Sequence, residues 1–451
     1  TFRDYGGFAI LVVINLLNYM DRYTVSGVLT QIQDYFSIND ADGGLLQTVF
    51  IAFFTVCSPI SGFLGDRFNR KWIIVAGISV WLAAVVASSF VPRHLFWLFA
   101  VLRGVVGVGE ASYAVICPSM IADMFPARLR PKMLMIFYFA IPFGSGLGFI
   151  VGAGVANAFN DWRWGVRITA IFGVVCLLLL VLFLEEPPRG QMDIADDESV
   201  EAERGSYVED IKALLRNARF VNSTIGYTAG VFVIGTLSWW MPTAIEYAEA
   251  ARQHLNGTSE LTSDDKNRTF SFGIVTCVAG VVGVAIGTFG SAMMKKGSWC
   301  CLSIRTERSD AIMCALGPLI GLPTLILAFQ IIDHNQTVAY TALFISITGL
   351  CFNWAINVDL LLCVVIPTRR ATANSWQIFI SHLFGDGPGP YIIGRLSDAL
   401  RGSDDSPSGH FNALRKSFYV PNALLVLAVL FYVVSAFTFP GDRRRFLEEC
   451  G

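Results

Sequence analysis

Charge is what this chain has least of: Asp, Glu, Lys and Arg make up 15% of its 451 residues, and there are only five histidines. A soluble fold of this length coats its exterior with charge, so an ordinary soluble globular protein is excluded. Ten cysteines are scattered with no Cys-x-x-Cys pair, and Cys300 and Cys301 sit beside a basic loop. They read as small buried apolar side chains, and no metal site or disulfide framework is expected. No His-Glu-x-x-His or Gly-x-Ser-x-Gly pattern occurs, which argues against an enzyme that cuts lipids. No cleavable signal pattern precedes the first apolar run; the N-terminus is expected to be trimmed, its sorting signals not legible. The formal charge of −2 is segregated by loop and identifies no partner, and no nucleic acid is expected as one.

What is there instead is apolar: 54% of the residues are hydrophobic and the mean hydropathy is +0.56. The apolar residues come in blocks of about 20, long enough to cross a hydrocarbon core of about 30 Å as helices. Spans are predicted near 8–29, 43–65, 72–91, 95–122, 133–158 and 164–184. A second set follows near 219–248, 270–294, 311–332, 337–366, 370–399 and 419–439. This is an all-α membrane protein of twelve helices in two six-helix halves. The expected organisation is an N-terminal bundle (1–186), a cytoplasmic linker with an amphipathic helix (187–218), a C-terminal bundle (219–439) and a cytoplasmic tail (440–451). In the linker, Val208, Ile211, Leu214 and Leu215 are expected on one helix face.

Arg and Lys set the orientation. Arg67, Arg70 and Lys71, then Arg128, Arg130 and Lys132, then Lys295 and Lys296, Arg369 and Arg370, and Arg443 to Arg445 all fall on one side, while loop 1–2 has no Lys or Arg. Both termini are therefore expected in the cytoplasm. The sequons at Asn256, Asn267 and Asn335 fall in loops assigned to the opposite side, where glycosylation occurs.

Between spans two and three, Gly62-Phe-Leu-Gly-Asp-Arg-Phe-Asn-Arg-Lys71 resembles the signature loop of the major facilitator superfamily, with Asn69 in place of its second Gly. Gly62 permits close helix approach, Asp66 can hold a helix N-terminus, and Arg67 can pair with Asp123 at the end of span four. With Arg70 these form a candidate conformational latch. The matching loop of the second half, Gly287 to Gly297, keeps Gly and Lys but lacks the Asp. Arg103 to Glu110 resembles the superfamily's Arg-containing fourth helix, and Pro142 to Gly152 its Gly-rich fifth.

Ionisable groups within the bilayer cost roughly 3 kcal/mol each and mark function by default. Asn15, Asn18 and Arg22 share a face of span one, with Asp21 beside them; Arg103 and Glu110 are two turns apart in span four. Asp21, Arg103 and Glu110 are expected within about 8 Å of mid-membrane. Two carboxylates sharing arginines let a proton replace a cation as counter-charge, or else form a fixed buried salt bridge. Ser381, His382 and Asp386 lie at similar depth in span eleven; His382 either titrates, binds a headgroup or is a satisfied interior histidine. Trp239, Trp240, Asn353 and Trp354 add aromatic and polar surface suited to an amphiphile.

The strings Asn15-Leu-Leu-Asn-Tyr-Met-Asp-Arg-Tyr-Thr24, Gly44 to Phe50, Arg103 to Tyr113, Phe137 to Gly148, Glu186-Pro-Pro-Arg-Gly190 and Ser381 to Asp386 resemble the spinster family of lysolipid transporters, and its lysosomal lysophospholipid branch more than its sphingosine-1-phosphate branch. The resemblance implies proton-linked efflux of lysophosphatidylcholine or lysophosphatidylethanolamine from the lysosome by alternating access. Protons are the coupling ion and no other cofactor is expected. It implies roles for Asp21, Arg22, Glu110 and His382. On the residues' own chemistry, Asp21, Glu110 and His382 are expected to couple the proton, and Arg22, Arg103, Trp240, Asn353, Trp354, Ser381 and Asp386 to contact substrate. The alternatives are a sphingosine-1-phosphate or sphingolipid exporter, or a carrier of another organic anion or a sugar. A lysosomal membrane is expected, with the plasma membrane as the other site, and the chain is expected to work as a monomer among membrane lipids.

Overall fold

The computed structural model describes residues 2–126, 129–187, 207–262, 265, 268–296, 308–362 and 370–450. Among them every long element is a helix and there is no strand. The first part of the chain forms α1 (Phe2–Gly27), α2 (Leu29–Phe36), α3 (Asp40–Arg67), α4 (Arg70–Ser88), α5 (Phe96–Met124), α6 (Arg130–Leu147), α7 (Ala153–Phe159) and α8 (Trp162–Phe183). Next come α9 (Tyr207–Arg216), α10 (Ala218–Arg252), α11 (Arg268–Lys296), α12 (Ser309–Ile331), α13 (Gln336–Leu350) and α14 (Asn353–Leu362). The last are α15 (Arg370–Ser381), α16 (Gly389–Arg401), α17 (Pro407–Ser417) and α18 (Tyr419–Cys450).

Short polar side chains start these helices by satisfying amide groups that have no partner within the helix. Asn39 accepts from Asp42 N, Asn69 from Trp72 N, Asp161 from Arg163 N and Asn335 from Val338 N. Nine described helices are long and apolar enough to cross a membrane. The first predicted span lies in α1, whose apolar run is interrupted by Asp21 and Arg22. The tenth breaks at Cys351–Phe352 between α13 and α14. The eleventh is divided among α15, a π-helical turn at His382–Asp386, and α16. Prolines 59, 118, 142, 242, 318 and 323 sit inside helices, as a membrane helix bundle tolerates.

The chain divides into two compact units. One comprises Thr1–Val200, Ser238–Cys277 and Pro390–Leu414; the other comprises Glu201–Leu237, Val278–Gly389 and Arg415–Gly451. In the first unit, Gly144, Gly148 and Gly152 form a stripe along α6 and the π-helical turn that follows it, packed on α1. A Cβ at Gly148 would fall 2.6 Å from Met20 O and 3.0 Å from Tyr23 Cβ. The Gly-rich run is thus a close helix crossing, held by van der Waals contact. Gly148→Val is expected to cost roughly 1–3 kcal/mol of packing and to at least halve the monodisperse protein recovered in detergent, as read by size-exclusion chromatography.

In the second unit, Leu214 of α9 packs with Phe220 and Ala373, whereas Leu215 is 64% exposed. The expected apolar face of the linker helix therefore narrows. Ile211 is half-buried and Leu214 buried, Leu215 turns outward, and the side chain of Val208 lies outside the described residues.

Candidate functional site

The first unit brings the intramembrane charges of α1 and α5 together. Asp21 is fully buried and Arg103 is 2% exposed, and Arg103 Nη1 lies 3.2 Å from Asp21 Oδ2. Thr169 Oγ1 donates to Asp21 Oδ1 at 2.9 Å, and Trp81 Nε1 donates to Oδ2 at 3.4 Å. Helices α1, α4, α5 and α8 thus all converge on one carboxylate. Arg22, next in sequence, points elsewhere. Its guanidinium lies 5.1 Å from the Phe50 ring centroid, and in the orientation that satisfies both groups Gln47 accepts from its Nε at 3.0 Å and its Nη2 at 2.8 Å.

Glu110, two turns beyond Arg103, is 2% exposed, and its Oε1 is buried with no hydrogen-bond partner. Asp21, Arg22, Arg103 and Asn18 are the polar groups that surround it. Two arginines thus face two carboxylates, one satisfied and one with an unspent acceptor. Asn15, predicted on the same stripe as Arg22, instead donates to Phe137 O at 2.8 Å and fastens α1 to α6.

The second unit holds the remaining polar candidates. His382 Nδ1 lies 2.8 Å from Asp386 Oδ1, so the pair expected one turn apart is in contact, on a π-helical turn of the kind found at functional sites. Asp386 packs over Gly235, where a Cβ would fall 2.9 Å from Asp386 Cα. Asn353 is 5% exposed with a buried Oδ1 lacking a partner. Trp354 is half-buried, and Ser381 Oγ donates to Ile378 O of its own helix. Trp240 belongs to the first unit, fully buried, its indole N–H donating to Pro390 O at 2.9 Å.

At the latch loop, Gly65 rather than Gly62 makes the tight contact: a Cβ would fall 2.9 Å from Ile116 Cγ1 at Gly65, against 3.5 Å from Val115 Cγ1 at Gly62. The pairing of Arg67 with Asp123 gives way to Arg70. Because Asn69 caps α4, Arg70 turns inward, 4% exposed, with Nη1 2.6 Å from Asp123 Oδ2 and its amide donating to Glu186 Oε1. Arg67 at the end of α3 is exposed, its guanidinium 3.9 Å above the Phe63 ring. The side chain of Asp66 lies outside the described residues. In the second unit the missing acid of the matching loop is supplied by the next helix, where Asp310 lies 2.9 Å from Lys295 Nζ and accepts from Ser291. Asn256 and Asn335 are exposed, and Asn267 lies outside the described residues.

Sequence reasoning missed a second charge cluster, at the Asp40 end of α3. Asp40 is fully buried and accepts from Gln33 Nε2 at 2.9 Å, Ser397 Oγ at 2.7 Å and Arg401 Nη1 at 3.3 Å. Asp398 accepts from the Asp40 and Ala41 amides at 3.2 and 2.8 Å, capping α3 from α16, and pairs with Arg401 at 3.0 Å. His410 Nδ1 lies 2.6 Å from Arg401 Nη1, and its ring stacks on Tyr247 at 4.4 Å. Two glycines admit this crossing: a Cβ at Gly44 would meet Pro390 O, and one at Gly394 would meet Asp40 O. Ser26 donates to the Trp239 carbonyl at 2.7 Å, and Thr30 to Glu246. The acids of loop 1–2 were visible in sequence, but nothing in their spacing pointed to partners some 360 residues away.

Charges buried in apolar helices, helix crossings made by glycine and a buried Arg70–Asp123 ion pair at the α3–α4 corner are features of a membrane transporter rather than an enzyme. The sequence model described as Major Facilitator Superfamily matches residues 11–390. The fold agrees with the crystal structure of a bacterial homolog to the human lysosomal transporter spinster, inward-facing and unoccupied, at TM-score 0.82 and 22% identity over 98% of both chains. It also agrees with the D-xylose-proton symporter at TM-score 0.66 and 20% identity, over 95% of this chain and 97% of that one. The chain is 43% identical to protein spinster homolog 1 of Homo sapiens, over 97% of its own length and 81% of that protein's. It is 42% identical to protein spinster homolog 3 of Danio rerio (98% and 86%), and 41% identical to the sphingosine-1-phosphate transporter SPNS2 of Mus musculus (97% and 78%). The chain belongs to the spinster family of the major facilitator superfamily.

Proposed function

We propose that this transporter carries lysophospholipids, lysophosphatidylcholine and lysophosphatidylethanolamine, out of the lysosome by proton-coupled alternating access. The observation that carries the reading is the buried constellation of Asp21, Arg103, Arg22 and Glu110. A charge-balanced set of two acids and two bases lets a proton or an anionic phosphate enter only by replacing an existing partner. Arg103 is engaged by Asp21; Arg22, beside Gln47 and the Phe50 ring, is the guanidinium assigned to the phosphate. Glu110, with an unspent acceptor, takes and releases the proton together with Asp21. His382 and Asp386 form a second coupled pair, with Ser381 on the same turn, and Asn353 and Trp354 supply polar and aromatic contacts. Trp240 acts by seating Pro390 on α10.

In this reading the sequence halves 1–186 and 219–439 move as bodies. The Arg70–Asp123 contact, with Gly62, Asp66 and Arg67, holds the cytoplasmic side, and the Asp40–Arg401 cluster holds the opposite side. Both termini are cytoplasmic, Asn256, Asn267 and Asn335 carry glycans, and one chain suffices. The relative named as a sphingosine-1-phosphate transporter supports a second reading with the same chemistry, a single-chain amphiphile bearing a phosphate. Uptake of radiolabelled lipids by the purified chain in liposomes, under an imposed pH gradient, separates them. Lysophosphatidylcholine and lysophosphatidylethanolamine are expected to enter at least tenfold faster than sphingosine-1-phosphate or a sugar; the reverse ranking rejects the lysophospholipid assignment.

A further inference from the structure

Beyond Asp21 and Glu110, the first unit holds a cavity of about 610 Å³, within the roughly 300–1,000 Å³ of small-molecule sites. Such sites are mostly apolar. Here Ala156 is the one lining residue without a polar side-chain atom. A cavity of that character suits the water-soluble part of a ligand.

Its charges balance, with Arg93 and Arg163 set against Asp34 and Asp161. The two guanidiniums share one aromatic ring: Arg93 Cζ lies 5.0 Å and Arg163 Cζ 4.8 Å from the Tyr35 centroid. Arg163 also donates to Tyr35 OH, which donates to Val91 O at 3.2 Å, so the ring is fixed. Two guanidiniums at one ring concentrate positive charge at the cavity wall, where an anion is favoured. Trp162 lines the same cavity, 4% exposed, and its buried indole N–H has no acceptor.

The cavity also shares an element with the Asp40 cluster. Helix α2 turns Thr30, Gln31, Asp34 and Tyr35 toward the cavity, while Gln33, on the same eight-residue helix, holds Asp40. A ligand in the cavity therefore touches the helix that also holds Asp40.

We propose that this cavity is a docking site for a zwitterionic phosphate headgroup, phosphocholine or phosphoethanolamine, separate from the Asp21–Glu110 site; the choice of headgroup rests on the lysophospholipid reading. The phosphate is taken by Arg93 and Arg163, and the ammonium by Asp34 and Asp161. Calorimetric titration of the full chain in detergent with sn-glycero-3-phosphocholine tests it, with inorganic phosphate and choline as separate arms. The zwitterion is expected to bind one to one. Arg93→Gln and Asp34→Asn, both at exposed positions, are each expected to weaken it at least tenfold without shifting the melting temperature. Absence of binding, affinity unchanged in both variants, or inorganic phosphate binding as tightly as the zwitterion overturns the docking site. Lysolipid uptake in liposomes, measured on the same preparations, reports separately on the function. Headgroup binding that needs Arg93 in a chain that moves no lysolipid leaves the cavity standing and rejects the transport reading.

Discussion

Asp21→Asn removes the counter-charge of Arg103 and is expected to lower both stability and transport more than any other single change at this site. Arg103 is 2% exposed and Asp21 is its ion-pair partner. Breaking a buried pair by neutralising one member costs about 3–5 kcal/mol, because the remaining charge stays desolvated. The Asn keeps an oxygen for Thr169, so the loss is electrostatic rather than steric. A second consequence follows from charge balance. With Asp21 neutral, two guanidiniums face Glu110 alone, and the two-against-two charge balance proposed to exchange a proton is lost. The expected outcome is a melting temperature lower by several degrees in detergent and lysolipid uptake below a tenth of the parent's. An unchanged melting temperature would mean that the Asp21–Arg103 pair contributes little.

The second large effect is expected at the opposite charge cluster. Arg401→Ala takes a guanidinium from Asp40, which is fully buried, and from Asp398, which caps α3. If the loss approaches the roughly 3 kcal/mol of a broken buried pair, local opening rises on the order of 100-fold, at tenfold per 1.4 kcal/mol. Hydrogen–deuterium exchange reads this directly. Amides of 29–45 and 390–410 are expected to exchange at least tenfold faster, while those of α12 in the second unit keep the parent's rate. Uniform acceleration across the chain would indicate global destabilisation and reject the cluster as a local clasp.

Most of the helical architecture was legible in sequence, because a run of about 20 apolar residues in lipid has few alternatives to a helix. The approach of Asp21, Arg103 and Glu110 was legible for the same reason: depth in a membrane helix is a count of residues, and groups at equal depth that avoid lipid must face protein. Which arginine Asp21 would choose was not. Arg22 is its neighbour in sequence, yet adjacent helix positions diverge by about 100°, so α5 supplies the partner. A similar ambiguity, here over three positions, put Arg67 where Arg70 stands. The deciding feature is Asn69, whose cap starts α4 and turns the next side chain inward. Leu215 failed similarly, at the edge of an apolar face too narrow to cover it. The Asp40 cluster was illegible for a different reason. Its members lie at helix ends on opposite sides of the sequence, where polar residues are expected anyway, and only the close crossing admitted by Gly44 and Gly394 brings them together.

The central claim, that proton and lipid compete through the Asp21–Glu110 set, is tested most directly by following protons while lipid moves. Proteoliposomes loaded with a pH-sensitive dye and given lysophosphatidylcholine are expected to report proton movement in fixed ratio to lipid uptake for the parent chain. Glu110→Gln, which leaves the Asp21–Arg103 pair intact, is expected to fold normally and to show no lipid-driven proton signal. A Glu110→Gln protein whose lysolipid uptake still moves protons in the parent's ratio would contradict the account.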